Sequence, residues 1–299
     1  MKKRLLAFIL LIATLLCLWS CSEKNGVSTL SIGFIDVGQG DSTFSIHFID
    51  VGQGDSALVE CDGHYMLIDG GPKSAEDKVY DTLEKKGIQR LDILAISHLH
   101  ADHIGGLKKA LTYASKIGIT ICNSDNSDNK YFSDLKHELS TNGSKIMVPA
   151  IGDKYELGSA TVKVVDLSAD EGNDSLVLLI TYGNTRFLFT GDIEHDAQKR
   201  ISNNEQNESD DSFDIDLIKM PHHGSYSGTL YRFLRTFIPE YVVISVGAGN
   251  TYGHPDKRTL DLLDSKTWKP KVYRTDQDGD IFVKSNGKEL SVETNKKNN

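Results

Sequence analysis

Residues 96–106 read Ile-Ser-His-Leu-His-Ala-Asp-His-Ile-Gly-Gly, which sets three histidines and one aspartate within six residues. Imidazole nitrogen and carboxylate oxygen are the donors that borderline divalent ions such as Zn and Mn accept. Alternation along the turn points His98 and His100 the same way, while Asp102 and His103 begin the next helix. Two donor pairs on one turn suit two neighbouring metal ions. Three other segments place a polar residue directly after an apolar strand and beside glycine. They are Asp69 in 67–71, Asp192 in 187–192, and His222 with His223 in 217–225. Donors gathered from different strand ends are how a two-metal hydrolase is assembled.

Those donors need rigid strands behind them. Strand-like apolar runs are predicted at 57–61, 65–68, 93–97, 117–122, 145–148, 161–165, 176–182, 186–190, 215–220 and 241–246. Helical spacing is predicted at 75–86, 102–115, 131–140, 194–200, 229–237 and 256–264. Some strands join as hairpins, turning at Asp62-Gly63 and Gly183-Asn184, and others alternate with helices. That mixture predicts an α/β protein with mixed sheets covered by helices.

The composition is that of a folded domain: 299 residues, 39% hydrophobic and 25% charged. It excludes a disordered or collagen-like chain. Four cysteines in this length exclude a disulfide-stapled miniprotein, and Cys61 and Cys122 read equally as a pair or as separate buried thiols. With 33 basic against 42 acidic residues, a broad basic face for nucleic acid is also excluded.

Lys2, Lys3 and Arg4 precede an apolar run ending in Leu18-Trp19-Ser20-Cys21. Residues 1–20 therefore read as a lipoprotein signal peptide, Cys21 as the lipidated residue, and 21–30 as a polar tether. A lipid anchor would hold the chain at the outer face of a bacterial membrane. Next comes a tandem duplication: 31–44 (SIGFIDVGQGDSTF) and 45–58 (SIHFIDVGQGDSAL) agree at 11 positions. Two copies are too few for a solenoid. The second copy, contiguous with the following strands, is expected to form the first core strand through Phe48-Ile49-Asp50-Val51. The first would add an edge strand or hang loose. Residues 31–299 then form one domain.

The motifs FIDVGQGDS, LIDGG, SHLHADHIGG, FLFTGD, MPHHGS, VISVG, YGHP and YRTDQDG together resemble the metallo-β-lactamase fold superfamily. Within it, the resemblance is to the extracellular hydrolase-like domain of the ComEC competence (DNA-uptake) family, from about residue 31 to 279. It implies a four-layer αβ/βα sandwich with two mixed β-sheets and two divalent metal ions, Zn or Mn, at one edge. His98 and His100 would bind the first metal; Asp102, His103 and His223 the second; and Asp192 would bridge. His222 is the alternative to His223, and the glycine that follows favours His223. Asp69 would orient the His turn from behind. A further His expected before the bridging Asp is missing. Asn173 or Asp174 would stand in, leaving the first site weak.

The implied mechanism is attack of a metal-bound hydroxide on phosphorus, with Asp102 catalytic through the metal and His254 donating a proton to the leaving oxygen. Ser225, Lys219, Gln53 and Asp55 are candidate substrate contacts, with Gln39 and Asp41 of the first repeat as counterparts. The function expected is a surface-anchored, monomeric phosphodiesterase or nuclease acting on extracellular DNA, single-stranded and weakly held. The alternatives are an esterase for phosphocholine or teichoic-acid phosphodiesters of the envelope, and a non-catalytic relative that binds DNA or wall polymer.

Overall fold

Strand β8 (Ala160–Leu167) alternates buried and half-buried residues along its whole length, so one face turns inward. Its neighbour β9 (Leu176–Tyr182) is buried on both faces except at Thr181, the mark of a central strand covered on two sides. These belong to the structure of the protein, a computed structural model describing residues 43–125, 127–167, 175–207 and 214–295. The expected leader 1–20, Cys21, the tether 21–30, residues 31–42 of the first repeat with Gln39 and Asp41, and Asn173 and Asp174 lie outside the described residues.

One sheet has eight strands. They are β1 (Phe44–Phe48), β2 (Ala57–Cys61), β3 (His64–Ile68), β4 (Arg90–Ile96), β5 (Lys116–Cys122), β6 (Ile146–Met147), β14 (Ile281–Ser285) and β15 (Leu290–Thr294). Their order is β15-β14-β1-β2-β3-β4-β5-β6. The other sheet has seven: β7 (Lys154–Leu157), β8, β9, β10 (Thr185–Phe189), β11 (Leu217–Lys219), β12 (Tyr241–Ile244) and β13 (Lys271–Arg274). Their order is β13-β12-β11-β10-β9-β8-β7. Both mix parallel and antiparallel pairs, as β3–β4 and β1–β2 illustrate in the first and β10–β11 and β9–β10 in the second.

Three apolar clusters define four layers. The inner faces of both sheets meet through Ile46, Phe48, Val59, Val162, Ile180 and Phe187, among others. On the outside of the first sheet lie α1 (Glu76–Lys85), α3 (Leu107–Tyr113) and α4 (Lys130–Thr141). The apolar stripe Phe132, Leu135 and Leu139 of α4 has helical spacing, and the Asn129 side chain caps it by accepting the Tyr131 N–H at 2.8 Å. Outside the second sheet lie α5 (His195–Asn207), α6 (Tyr231–Phe237) and α7 (Lys257–Leu263). This is the expected αβ/βα sandwich. No helix among the described residues is long and apolar enough to cross a membrane.

Several local expectations are corrected. The helix expected over 102–115 is two, α2 (Ala101–Ile104) and α3, because the helical ladder is interrupted between them: the Gly106 N–H donates to Gly71 O at 3.0 Å, and Asp102 O accepts the Asp55 N–H at 3.2 Å. The first core strand takes Phe44 from the end of the first repeat and Ser45–Phe48 from the second, and ends before Ile49-Asp50-Val51. Alternation along the chain puts Ile46 and Phe48 in the inner core and Ile49 and Val51 in the outer one. Both edges of β1 are already paired, to β2 and β14. Strands β7, β13, β14 and β15 and the one-turn helix α8 (Thr275–Asp278) have no counterpart in the sequence expectation. Cys61 and Cys122 are separate buried thiols, and burial pushes Cys122 up to about 12.

Candidate metal centre

Four strands end beside one another at one edge of the sandwich. β3 delivers Asp69, β4 the 97–103 turn, β10 Asp192, and β11 the pair His222-His223. Since β3 and β4 are parallel, as are β10 and β11, their carboxyl ends share an edge. Left-handed backbone aims the donors: Asp69, His222 and His223 have φ of 56°, 47° and 52°. Such conformations cost a non-glycine residue about 1–3 kcal/mol and persist where surrounding contacts enforce them. Here His223 Nδ1 meets the Ser245 carbonyl at 2.9 Å, and the His222 N–H donates to Gly191 O at 3.2 Å.

Asp69, 1% exposed, accepts from the Ser97 N–H (2.8 Å), the Ser97 hydroxyl (2.6 Å) and His103 Nδ1 (2.8 Å). With Nδ1 engaged in each ring, Nε2 of His103 and of His223 turn to a common point, both buried and without a hydrogen-bond partner among the described residues. Asp102 and Asp192 complete the group. His223 Nε2 lies 3.3 Å from Asp102 Oδ2 and 3.5 Å from Asp192 Oδ2. His103 Nε2 lies 4.0 Å and 3.4 Å from the same oxygens. A tetrahedral ion with ligand bonds of about 2.1 Å needs edges of about 3.4 Å, so these four atoms fit a divalent cation. They are one of two groups among the described residues with metal-ligand spacing.

Charge makes the same demand. Asp55, Asp69, Asp102 and Asp192 crowd one pocket, with Lys219 as the permanent cation inside it. Burial alone would hold the imidazoles neutral. The carboxylates overcome it, lifting His223 to about 9 through Asp192 and Asp55, and His103 well above its ordinary value through Asp192 and Asp69. Burial would raise Asp192, yet His223 and His103 hold it well below the carboxylate range. A pocket that draws protons onto its histidines is short of positive charge, which a metal ion supplies.

The pair expected at the first metal is less tightly gathered. His98 is buried, with Nε2 3.8 Å from Asp192 Oδ2 and 2.9 Å from His100 Nδ1, while His100 faces solvent. Burial, then the charge of His103, depresses His98 well below its ordinary value. His222 stands nearby, its Nε2 3.9 Å from Asp192 Oδ2 and its Nδ1 3.4 Å from Glu194. The His254 ring lies 5.5 Å from that of His222 and 6.4 Å from that of His223, at the mouth.

The four expected substrate contacts all engage partners within the protein. Lys219 and Asp55 are 3% and 6% exposed and form an ion pair behind the histidines, with Lys219 also donating to Gly191 O at 3.1 Å. Burial would lower the lysine, but Asp55 and Asp192 raise it. Ser225 is buried, its hydroxyl accepting the Gly228 N–H at 2.8 Å to close the turn after His223. Gln53 Oε1 accepts the Gly247 N–H at 3.2 Å, so it braces a loop. Sequence reasoning missed Ser97, Ser245 and Ser175, whose hydroxyl accepts the Asp192 N–H at 2.9 Å. A strand-end serine carries no signal beyond its adjacency to the motif.

The profile of the Metallo-beta-lactamase superfamily matches residues 49–247, which contain every donor described above. The chain belongs to the metallo-beta-lactamase superfamily. Members of this superfamily are generally metal-dependent hydrolases. Among curated proteins the chain is similar to ComE operon protein 3 of Bacillus subtilis, at 30% identity over 89% of this chain and 34% of that protein. It is also similar to Competence protein ComA of Neisseria gonorrhoeae, at 25% identity over 74% and 29%. The chain thus spans about a third of the length of the curated relatives it matches. Among solved structures, the metallo-beta-lactamase fold protein YhfI from Bacillus subtilis superposes with a TM-score of 0.51 at 15% identity, over 78% of this chain and 96% of that one. CmlA, a diiron β-hydroxylase from Streptomyces venezuelae, does so with 0.51 at 15% identity, over 79% and 53%. These superpositions show the superfamily fold.

Proposed function

We infer that this chain is a metal-dependent phosphodiesterase that cuts nucleic acid outside the cell, held at the membrane surface through a lipid on Cys21. The convergence of His103 Nε2, His223 Nε2, Asp102 and Asp192 at ligand spacing carries the reading. The competence proteins among its relatives support DNA as the substrate. Asp102, His103, Asp192 and His223 would hold one ion. His98 and His100, with Asp192 shared, would hold a second and weaker one, to which Asn173 or Asp174 adds an oxygen. When bound, the ions supply Lewis acidity and positive charge at the phosphoryl oxygens.

The chain's own residues do the rest. Asp69 and Ser245 fix the two imidazoles in the tautomer that leaves Nε2 free to ligate. Lys219 balances part of the carboxylate charge from behind. His254, whose ring lies 5.5 Å from that of His222, would hand a proton to the departing oxygen. The test is metal content of the purified 22–299 fragment by elemental analysis, then hydrolysis of bis-p-nitrophenyl phosphate with Mn or Zn. Between one and two ions per chain, with turnover lost in His223→Ala, is the expected result. No bound metal and no turnover after Mn loading would overturn the reading. Choice between oligothymidylate and a phosphocholine ester then separates a nuclease from an envelope esterase.

A further inference from the structure

Residues 245–256, between β12 and α7, pass the mouth of the site, and the loop is braced from within. Asn250 Nδ2 donates to Gly247 O at 2.9 Å and to His254 O at 2.6 Å. Its Oδ1 accepts the backbone N–H groups of Tyr252 and His254, both at 3.1 Å. A Cβ on Gly247 would lie 2.6 Å from Gln53 N, so the loop is also seated on the turn after β1. This fixed backbone nevertheless presents Tyr252 at 70% exposure. A large aromatic on a rigid loop is preorganised for a contact whose ordering cost is already met.

Ring orientation gives the contact a direction. His254 lies 28° from the plane of His223, and Tyr252 lies 27° from that of His254 with centroids 5.8 Å apart. The rings therefore step outward from a candidate metal ligand, through a half-buried histidine, to an exposed tyrosine. Tyr226, also exposed, is already covered: the Arg258 guanidinium lies 3.6 Å from its centroid, and its ring meets the edge of His195. Arg258 is itself bound to Asp256 at 2.8 Å. Among the described residues His254 is the one ring partner of Tyr252.

We propose that Tyr252 is a stacking platform for a nucleobase of a strand whose phosphodiester sits at the metal centre, a proposal that rests on the phosphodiesterase reading above. The acidic balance of the chain denies it the phosphate neutralisation that usually binds nucleic acid. Stacking needs no charge and accepts any base, so it supplies affinity where lysine and arginine do not.

The test uses the Mn-loaded protein and its Tyr252→Ala and Tyr252→Phe variants. Fluorescence anisotropy measures binding of a labelled oligothymidylate and of the same oligomer with abasic residues. Metal content and hydrolysis of methyl p-nitrophenyl phosphate serve as controls. Tyr252→Ala should weaken oligothymidylate about ten-fold or more, Tyr252→Phe should hold it, and the abasic oligomer should bind both proteins equally weakly. Equal affinity of wild type and Tyr252→Ala for oligothymidylate would overturn the proposal, as would full affinity for the abasic oligomer. Competition by tetramethylammonium alone would assign the ring to a quaternary ammonium group and overturn it too. Failure of oligothymidylate to bind while the small diester is hydrolysed sinks the stacking role and leaves the phosphodiesterase. Absence of both metal and hydrolysis sinks the reading beneath.

Discussion

Asp69→Asn isolates what the sheet edge does for the metal centre, because it keeps shape and removes one acceptor. The carboxylate takes three donors: the Ser97 N–H on Oδ1, and the Ser97 hydroxyl and His103 Nδ1 on Oδ2. An asparagine has one oxygen for them. With that oxygen in the Oδ1 position, the amide N–H₂ faces His103 Nδ1, which must then accept, and the ring proton moves to Nε2. That atom is one of the four converging donors, so ligation must first remove a proton. With the oxygen in the Oδ2 position, the amide meets the Ser97 N–H, a buried donor that cannot rotate, at about 1–3 kcal/mol. Loss of such an orienting partner lowers metal affinity about 10–100-fold, or about 1.4–2.8 kcal/mol. The two routes therefore cost about the same, the first in metal affinity and the second in the stability of the fold. Chelator competition measures the affinity, and ¹⁵N NMR of the metal-free protein reads the His103 tautomer. An Asp69→Asn variant that binds metal within two-fold of wild type, with His103 Nε2 still unprotonated and with an unchanged urea midpoint, would refute the orienting role.

Two further outcomes follow from the buried charges. Lys219→Met leaves Asp55 buried with only the His223 and His103 imidazoles beside it and should destabilise the metal-free protein by about 3–5 kcal/mol in urea unfolding. Adding Asp55→Asn should restore most of that, and a single variant as stable as wild type would contradict the pairing. Asp280 accepts the Asp50 N–H at 2.8 Å and pairs with Lys78 at 2.9 Å. Burial would raise it, but the His47 and Asp50 hydrogen bonds and Lys78 hold it below the carboxylate range. Its stabilisation is thus whole above the unfolded value of about 3.9 and is lost as pH falls through the lower folded value. Urea midpoints at pH 6, 4 and 3 should show a shallower fall for Asp280→Asn than for wild type; identical slopes would remove Asp280 from the acid transition.

Much of the architecture was legible because it is periodic. The runs at β9, β5 and β12 and the stripe of α4 announce themselves through spacing, and mixed sheets covered by helices follow from such alternation, while the four-layer order came from the family resemblance. The donors of the His98–His103 turn, with Asp69, Asp192 and His223, were legible because residue type limits chemistry: few arrangements but a metal site use so many imidazoles and carboxylates at strand ends. The C-terminal hairpin β14–β15 was not. Its strands are short and partly exposed, and they are held because β14 pairs with the second edge of β1, far away in sequence.

Sequence by itself therefore determined which atoms are able to bind metal and roughly which strands carry them. It did not determine which way each side chain points. Lys219 and Asp55 have the residue types of substrate contacts, yet the fold turns them inward and pairs them, because a cation and an anion 164 positions apart in the chain meet only once the two sheets have packed. Tyr252 likewise reads as an ordinary loop tyrosine until Asn250 and Gln53 fix its backbone beside His254. Burial, tautomer and reach depend on what the rest of the chain brings alongside a residue, and only the tertiary structure decides that.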